Sequence, residues 1–457
     1  MIPVSVIEIL NITGGRLLSG KGEGLISSVT TDSRKAQTGS LFVAICGKNA
    51  DGHKFLQDVW EKGAVCAITE KETDFAGDMN VILVPNSVKA MGKIARLVMK
   101  KLSVPSVAIT GSVGKTTTRD MTYAVVNAKY NTLKNQGNFN NEIGVPLTIF
   151  EADEKTEAAV IEMGMDNFGE IDALSAIVQP DVSIITNIGM SHIERLGSQE
   201  NIYKAKSEIF YNTKPNGVVI LNGDDEILMA HKKEIAQRVI TVGVLNKEAT
   251  FIAENIVADE KSVSFTAKGL GRKIDVTLPV PGEHNVINAL LAIATGIYYL
   301  VPDERISEAL SNFTLTGMRM DIIKNGNITI IDDCYNAAPA SVSAALSVLS
   351  KQDGRKVAIL GDIAALGEFS FSAHKNLGAE VVKNKIDLLI TIGENAKYIA
   401  EGAFENGMDS EKFVSYSTAS EAISALGTII KNKDVVLVKA SRMMGLERVT
   451  DALKNLG

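Results

Sequence analysis

Three cysteines in 457 residues, scattered at Cys46, Cys66 and Cys334 without C-x-x-C spacing, support neither a disulfide framework nor a structural zinc site. A reducing setting, the cytoplasm, is therefore expected. Proline is scarce at 10 residues, and 45% apolar against 22% charged residues is the balance of a globular chain rather than a disordered one. Basic residues form no cluster, and 47 of them against 54 acidic ones leave a net charge of −7, so no nucleic-acid partner is expected. No apolar run reaches the ~18–20 residues that cross a bilayer. The most apolar helical stretch, ALLAIATGIYYLV at 289–301, reads as a buried core helix, so the chain is not expected to span a membrane. The opening MIPVSVIEILNITGG has no basic start followed by an apolar core and a small-residue cleavage site, so no leader is expected.

What is present is an α/β pattern. LFVAICG (41–47), AVCAIT (64–69) and NVILV (80–84) are strand-like, with HKFLQDVWEKG between the first two. They predict a small N-terminal α/β domain. From 106 to about 222, SVAITGS, AAVIEMG, VSIITNIG and GVVILNG alternate with helical stretches, and continuous apolar strands of this kind predict a parallel sheet covered on both faces. Residues 250–280 alternate as antiparallel strands do and predict a side sheet. TGMRMD (316–321) is expected to be a linker. Beyond it NITIIDD, KVAILGD, DLLITIG, KFVSYS and DVVLVKAS, each followed by a helical pattern, predict a doubly wound sheet. No G-x-G-x-x-G follows any of these strands, so a dinucleotide site is not indicated.

The chemistry is concentrated in VAITGSVGKTTTRD, 107–120. Its Gly-Lys-Thr ending belongs to a phosphate loop, but Ile109 stands where the common G-x-x-x-x-G-K-[ST] form needs a glycine. Gly111, Ser112, Val113 and Gly114 form a shorter turn between a buried strand and a helix. Such a turn brings backbone N–H groups and a helix N-terminus to phosphate oxygens. Lys115 would reach the terminal phosphates, Thr116 would put its hydroxyl on Mg2+, and Thr117 continues the loop. Glu162 and His192 fall at carboxyl ends of predicted parallel strands, where ligands collect in such sheets, and both residue types can ligate Mg2+. In NIYKAKSEIFYNTK (201–214), Lys204 and Lys206 read by themselves as solvated helix lysines.

The ordered series TDSR (31–34), G-x-LFVAI-x-G (39–47), DGHKF (51–55), TGSVGKTTT (110–118), NFNNEIGVPLT (138–148), IEMGM (161–165), ITNIGMSHIERLGS (185–198), AKSEIF (205–210), PGEHNVINALLA (281–292), TGMRMD and DDCYNAAP (332–339) resembles the Mur ligase family almost end to end. The resemblance implies three domains: residues 1–101 binding a UDP-sugar substrate, 102–316 binding ATP through a parallel sheet of phosphate-loop type, and 317–457, Rossmann-like, binding an incoming amine and closing on ATP. G-x-x-G-K-[ST], which Gly111 to Thr116 match, is this family's own loop.

By the same resemblance, Lys206 is the lysine that CO2 converts to a carbamate, able to ligate one of two Mg2+ ions beside His192 and Glu162. Asn288 matches an adenine contact, and Arg319 and Asp333 match residues that reach the nucleotide. Ser33, Arg34, Asp51, His53 and Asn138, with Tyr335, Asn336 and Arg442, match substrate positions. The implied reaction is ATP-dependent addition of D-alanyl-D-alanine to a UDP-linked muramoyl tripeptide through an acyl phosphate, by a monomer that takes small-molecule substrates. A family ligase adding one amino acid, of the kind that extends folate included, and a non-catalytic ATP-binding homologue remain the alternatives. The chain departs from the family pattern at Ala338 (YNAAP for YNANP), at Ile363 and Ala365 (GDIAALG for G-D-M-x-E-L-G) and at Ala440 (KASR for KGSR).

Overall fold

The structure is a computed structural model that describes residues 1–47, 50–315 and 317–456. Thr316, the expected end of the middle domain, and Gly457, the last residue of the third, lie outside the described residues. Among the described residues the strands form three large sheets, of five, nine and six strands, in chain order, with a two-stranded pairing at the N-terminus.

In the first sheet the strands Ser40–Val43, Cys66–Thr69 and Asn80–Leu83 run parallel, as their continuous apolar sequences predict. The helix Ser87–Leu102 then leads into the middle sheet. Asn86 caps it by accepting from Lys89 N–H at 2.7 Å, and Ala90, Met91, Ile94, Ala95 and Val98 bury one face at helical spacing.

The nine-stranded sheet is built around Ser106–Thr110, every residue of which is buried. It is flanked by Ala158–Glu162 on one side and Val182–Ile185 on the other, both parallel to it. The chain leaves this strand toward 158–162 and later returns to 182–185 on the opposite side. That reversal of direction across the sheet opens a crevice at the carboxyl ends of the strands. The buried helix predicted at 289–301 lies largely within His284–Tyr298, which packs against the phosphate-loop helix Lys115–Asn127.

Two expectations are corrected. The antiparallel strands Phe251–Ala258, Val263–Gly269 and Arg272–Leu278 do not make a separate side sheet: Phe251 pairs in parallel with Val242, so they extend the central sheet. The joining strand, Arg238–Gly243, is not among the strands expected from the sequence, and the continuity depends on it. The expected linker is also shorter than TGMRMD, because Asp321 already begins the edge strand Asp321–Asn325, antiparallel to Ile328–Asp332. The other five strands of the third sheet are parallel, in the order Ile328–Asp332, Asp434–Lys439, Arg355–Gly361, Leu388–Ile392, Phe413–Tyr416. No helix among the described residues is long and apolar enough to cross a membrane.

Candidate active site

The turn after Ser106–Thr110 requires its glycines. Gly111 has φ +152°, and a Cβ there would lie 1.9 Å from Thr186 Oγ1. Gly114, at φ +82°, begins the helix in left-handed backbone and faces Asn288 Oδ1. The loop is held from the neighbouring strand end: Val113 N–H donates to Asn187 Oδ1 at 2.9 Å, and Gly189 N–H donates to Ser112 Oγ at 2.8 Å. Lys115 Nζ folds back on the loop, donating to Gly111 O at 2.7 Å and Ser112 O at 3.2 Å.

Glu162 ends the adjacent strand and is 2% exposed, a position where a carboxylate needs partners. It has three. Thr116 Oγ1 donates to Oε2 at 2.8 Å, Asn140 Nδ2 donates to Oε1 at 2.8 Å, and Arg119 reaches Oε2 at 3.4 Å. The Thr116 hydroxyl and the Glu162 carboxylate are the hard oxygen donors that Mg2+ takes. Among the described residues no three His, Cys, Asp or Glu side chains converge on one point. The donor set therefore fits an ion held by one or two protein oxygens together with substrate phosphates, the usual arrangement for Mg2+.

His192 and Lys206 open on the same space. His192 has φ +65° and its Nδ1 lies 3.0 Å from Asp166 Oδ1. Burial, then the nearby Lys206 and Lys115, push its pKa down to about 4, so the ring is neutral near pH 7. Lys206 is 1% exposed, whereas Lys204, two residues earlier, lies on the solvent side near Glu200. Burial, with Lys115 adding repulsion, holds the Lys206 amine far below the ordinary lysine pKa, and among the described residues no acidic group offsets either effect. Both effects favour the uncharged amine, the nucleophilic form that CO2 requires.

These groups line one cavity of about 640 Å³ between the second and third sheets. The structure brings together Ser112, Val113, Gly114, Lys115, Thr116, Thr117, Asn138, Glu162, His192, Lys206 and Asn288 from the middle of the chain with Arg319, Asp333, Tyr335, Asn336 and Arg442 from its last third. Gly111 stands just behind, its carbonyl under Lys115. Arg319 stacks on the Tyr335 ring at 4.1 Å, and Asn288 accepts from Thr118 Oγ1 at 3.1 Å. Asp333 is paired with the buried Lys439, which also donates to Asn336 O at 3.0 Å. Burial raises the Asp333 pKa despite that lysine.

Ser33, Arg34, Asp51 and His53 are not in this cavity. Arg34 is exposed and pairs with Asp32, and Lys62 Nζ donates to Ser33 O at 3.0 Å. Asp51 bonds both His53 Nδ1 and Lys71 at 2.6 Å, while His53 Nε2 accepts from Glu70 N–H at 3.0 Å. Both His53 ring nitrogens are thus engaged within the N-terminal domain. Sequence reasoning does not single out Arg119, Asn140 or Lys439. The motifs that contain them, TTTRD, NFNNEIG and KASR, are visible, but a helical arginine is ordinarily solvated and only the fold shows these three buried or turned inward.

A phosphate loop at a sheet switch point, a carboxylate and a buried lysine facing it, and a second α/β sheet closing the cavity define a nucleotide-dependent ligase type of site. Three family models cover the chain in sequence: Mur ligase family, catalytic domain, at 25–102; Mur ligase middle domain at 109–296; and Mur ligase, glutamate ligase domain, at 318–442. The UDP-N-acetylmuramoyl-tripeptide–D-alanyl-D-alanine ligase of Bacillus subtilis strain 168 is 36% identical, with 99% of each chain covered. The Escherichia coli K12 enzyme of the same name is 32% identical over the whole of both. Among solved structures, MurF from Acinetobacter baumannii superposes with a TM-score of 0.91 at 31% identity, covering 99% of each chain. MurF ligase from Thermotoga maritima, solved in complex with ADP, gives 0.83 at 28%, covering 94% of this chain and 97% of that one. This chain belongs to the Mur ligase family.

Proposed function

We propose that the protein is an ATP-dependent amide ligase that joins D-alanyl-D-alanine to UDP-N-acetylmuramoyl-tripeptide in peptidoglycan precursor synthesis. The observation that carries this reading is the single cavity in which the phosphate loop, Glu162, His192 and Lys206 face Arg319, Asp333 and Tyr335. The full-length likeness to ligases of that name supplies the substrates.

A carboxylate does not react with an amine directly, since oxide would have to leave. ATP removes the obstacle by phosphorylating the terminal carboxylate of the tripeptide. The amine of D-alanyl-D-alanine then attacks the acyl carbon, and phosphate departs from the tetrahedral intermediate. The loop amides and Lys115 would hold the γ-phosphoryl group in line and offset its charge, which is most of what a protein contributes to phosphoryl transfer. Asn288, Arg319 and Asp333 are assigned to the nucleotide, Asn138 to the muramoyl substrate, and Tyr335, Asn336 and Arg442 to the dipeptide. The third domain covers the cavity and would keep water from the acyl phosphate.

Thr116 and Glu162 would hold one Mg2+. His192 with a carbamate on Lys206 would hold a second, and these ions would supply charge neutralisation on the phosphates. The carbamate reading rests on the buried Lys206 amine, whose charged form burial disfavours and which has no acidic partner among the described residues: carbamoylation of the free amine would give an anion that a metal can balance. Residues 1–101 are assigned to the UDP-sugar, with Ser33, Arg34, Asp51 and His53 near it; the doubly engaged His53 would shape that site through Asp51. Cytoplasmic location follows from ATP and a nucleotide-linked substrate. A monomer is expected because one chain supplies every residue of the cavity.

Oxygen-18 transfer tests the acyl phosphate. Tripeptide substrate labelled in its terminal carboxylate should give inorganic phosphate carrying one labelled oxygen. Unlabelled phosphate from a turning-over enzyme would exclude that intermediate.

A further inference from the structure

Arg119 is the largest side chain buried to under 2% exposure, yet it sits one turn into the phosphate-loop helix, where an arginine would ordinarily reach solvent. Its guanidinium is anchored on one side by Asp120, through Nε at 3.0 Å and Nη2 at 2.8 Å. Its other end, Nη1, donates to Gly137 O at 3.1 Å and reaches Glu162 Oε2 at 3.4 Å. The same stretch of loop returns to Glu162 through Asn140, whose amide donates to the other carboxylate oxygen at 2.8 Å. Each oxygen of Glu162 is therefore oriented by a residue outside the phosphate loop, and Oε2 by Thr116 as well.

We propose that Arg119 and Asn140 are positioning residues that clamp the Glu162 carboxylate between the phosphate-loop helix and the loop around Gly137–Asn140, fixing the direction from which it meets a divalent cation. A planar fork suits this task, because one lysine ammonium could not bridge Asp120, Gly137 and Glu162 together. The clamp also joins the cation-binding carboxylate to the loop that carries Asn138, so loop and carboxylate hold one arrangement. The inference rests on the assignment of Glu162 to Mg2+ under the ligase reading.

The test measures binding rather than turnover. ADP affinity of the full chain is measured by titration calorimetry, without Mg2+ and across a Mg2+ series, for wild type, Arg119→Met and Asn140→Ala. Both variants should bind metal-free ADP within about threefold of wild type, since the loop amides are intact. The Mg2+ concentration giving half the tightening should rise by roughly 10–100-fold in Arg119→Met and by a smaller factor in Asn140→Ala, the range seen when outer partners of metal ligands are removed. Arg119→Met leaves Asp120 its contact with Lys134 at 2.8 Å. Asn140→Ala changes a half-buried position and keeps the test decisive should the first variant not fold. An unchanged Mg2+ requirement in folded Asn140→Ala or Arg119→Met overturns the clamp. A wild type that binds Mg2+ and ADP but joins no dipeptide would instead overturn the ligase reading and leave the clamp standing.

Discussion

Lys206→Ala is expected to lower ligation by roughly 10²-fold or more, and added formate or acetate to restore part of it. The side chain is buried, its amine is held far below its usual pKa first by desolvation and then by Lys115, and nothing acidic among the described residues is paired with it. A purely structural lysine in that place would be a cost without a return. A carbamate would give it one, since the side chain would then offer two oxygens to the cavity that His192, whose ring is neutral near pH 7, also lines. Truncation to alanine strands no acidic partner, so the variant should fold, and the space it opens admits a small carboxylate. The measurement is the steady-state rate at saturating ATP, with and without formate or acetate at roughly 50–100 mM, a concentration suited to a small ligand of weak affinity. Activity unaffected by the substitution would rule out the carbamate.

Lys115→Met should reduce turnover by roughly 10²–10³-fold, the usual cost of removing one preorganised electrostatic contact to a transition state. Lys115 Nζ rests on the carbonyls of Gly111 and Ser112, so the ammonium already stands where the loop would receive phosphates. Burial lowers its pKa, Glu162 opposes that shift, and Arg319 adds to it. Methionine approximates the length of the stem and removes the charge and its donors. The loss should therefore appear in kcat rather than in the folding midpoint. Turnover within about threefold of wild type would mean that Lys115 does not bear on the moving phosphoryl group.

The fold is legible in the sequence where hydrophobic runs are long and bounded. SVAITGS, AAVIEMG and VSIITNIG are adjacent parallel strands because continuous apolar runs can be buried only inside such a sheet. The side sheet is a different case, because alternation along 263–278 reports one half-exposed face and says nothing about which sheet a strand extends. Only the pairing of Phe251 with Val242 decides that.

The site is legible where backbone dictates chemistry. Gly111 leaves no room for a side chain and Gly114 takes left-handed backbone, and the Lys-Thr that follows opens the helix. Lys206 can be told from Lys204 only by resemblance, since both lie on one short helix and burial separates them. Arg119 and Asn140 escape notice because their partner Glu162 is 43 and 22 residues away in the chain and adjacent only after folding.

The three alanines that depart from the family pattern have distinct settings. Ala338 begins the helix Pro339–Ser350 at the cavity wall, where the Ser341 hydroxyl accepts from its N–H at 2.9 Å and so caps the turn without an asparagine. Ala365, at φ +59°, accepts from Glu194 N–H at 3.2 Å, a contact that seats the last domain beside the His192 loop. Ala440 is fully buried at the end of Asp434–Lys439, next to the Asp333–Lys439 pair.

ATP-driven joining of a dipeptide to a nucleotide-linked peptide is measured by incubating the protein with ATP, Mg2+, UDP-N-acetylmuramoyl-tripeptide and D-alanyl-D-alanine and following phosphate and product mass. One ADP and one phosphate are expected for each UDP-linked pentapeptide formed, with phosphate release that depends on the dipeptide. Phosphate release indifferent to D-alanyl-D-alanine, or amide formation with a single amino acid in its place, would contradict the dipeptide ligase reading.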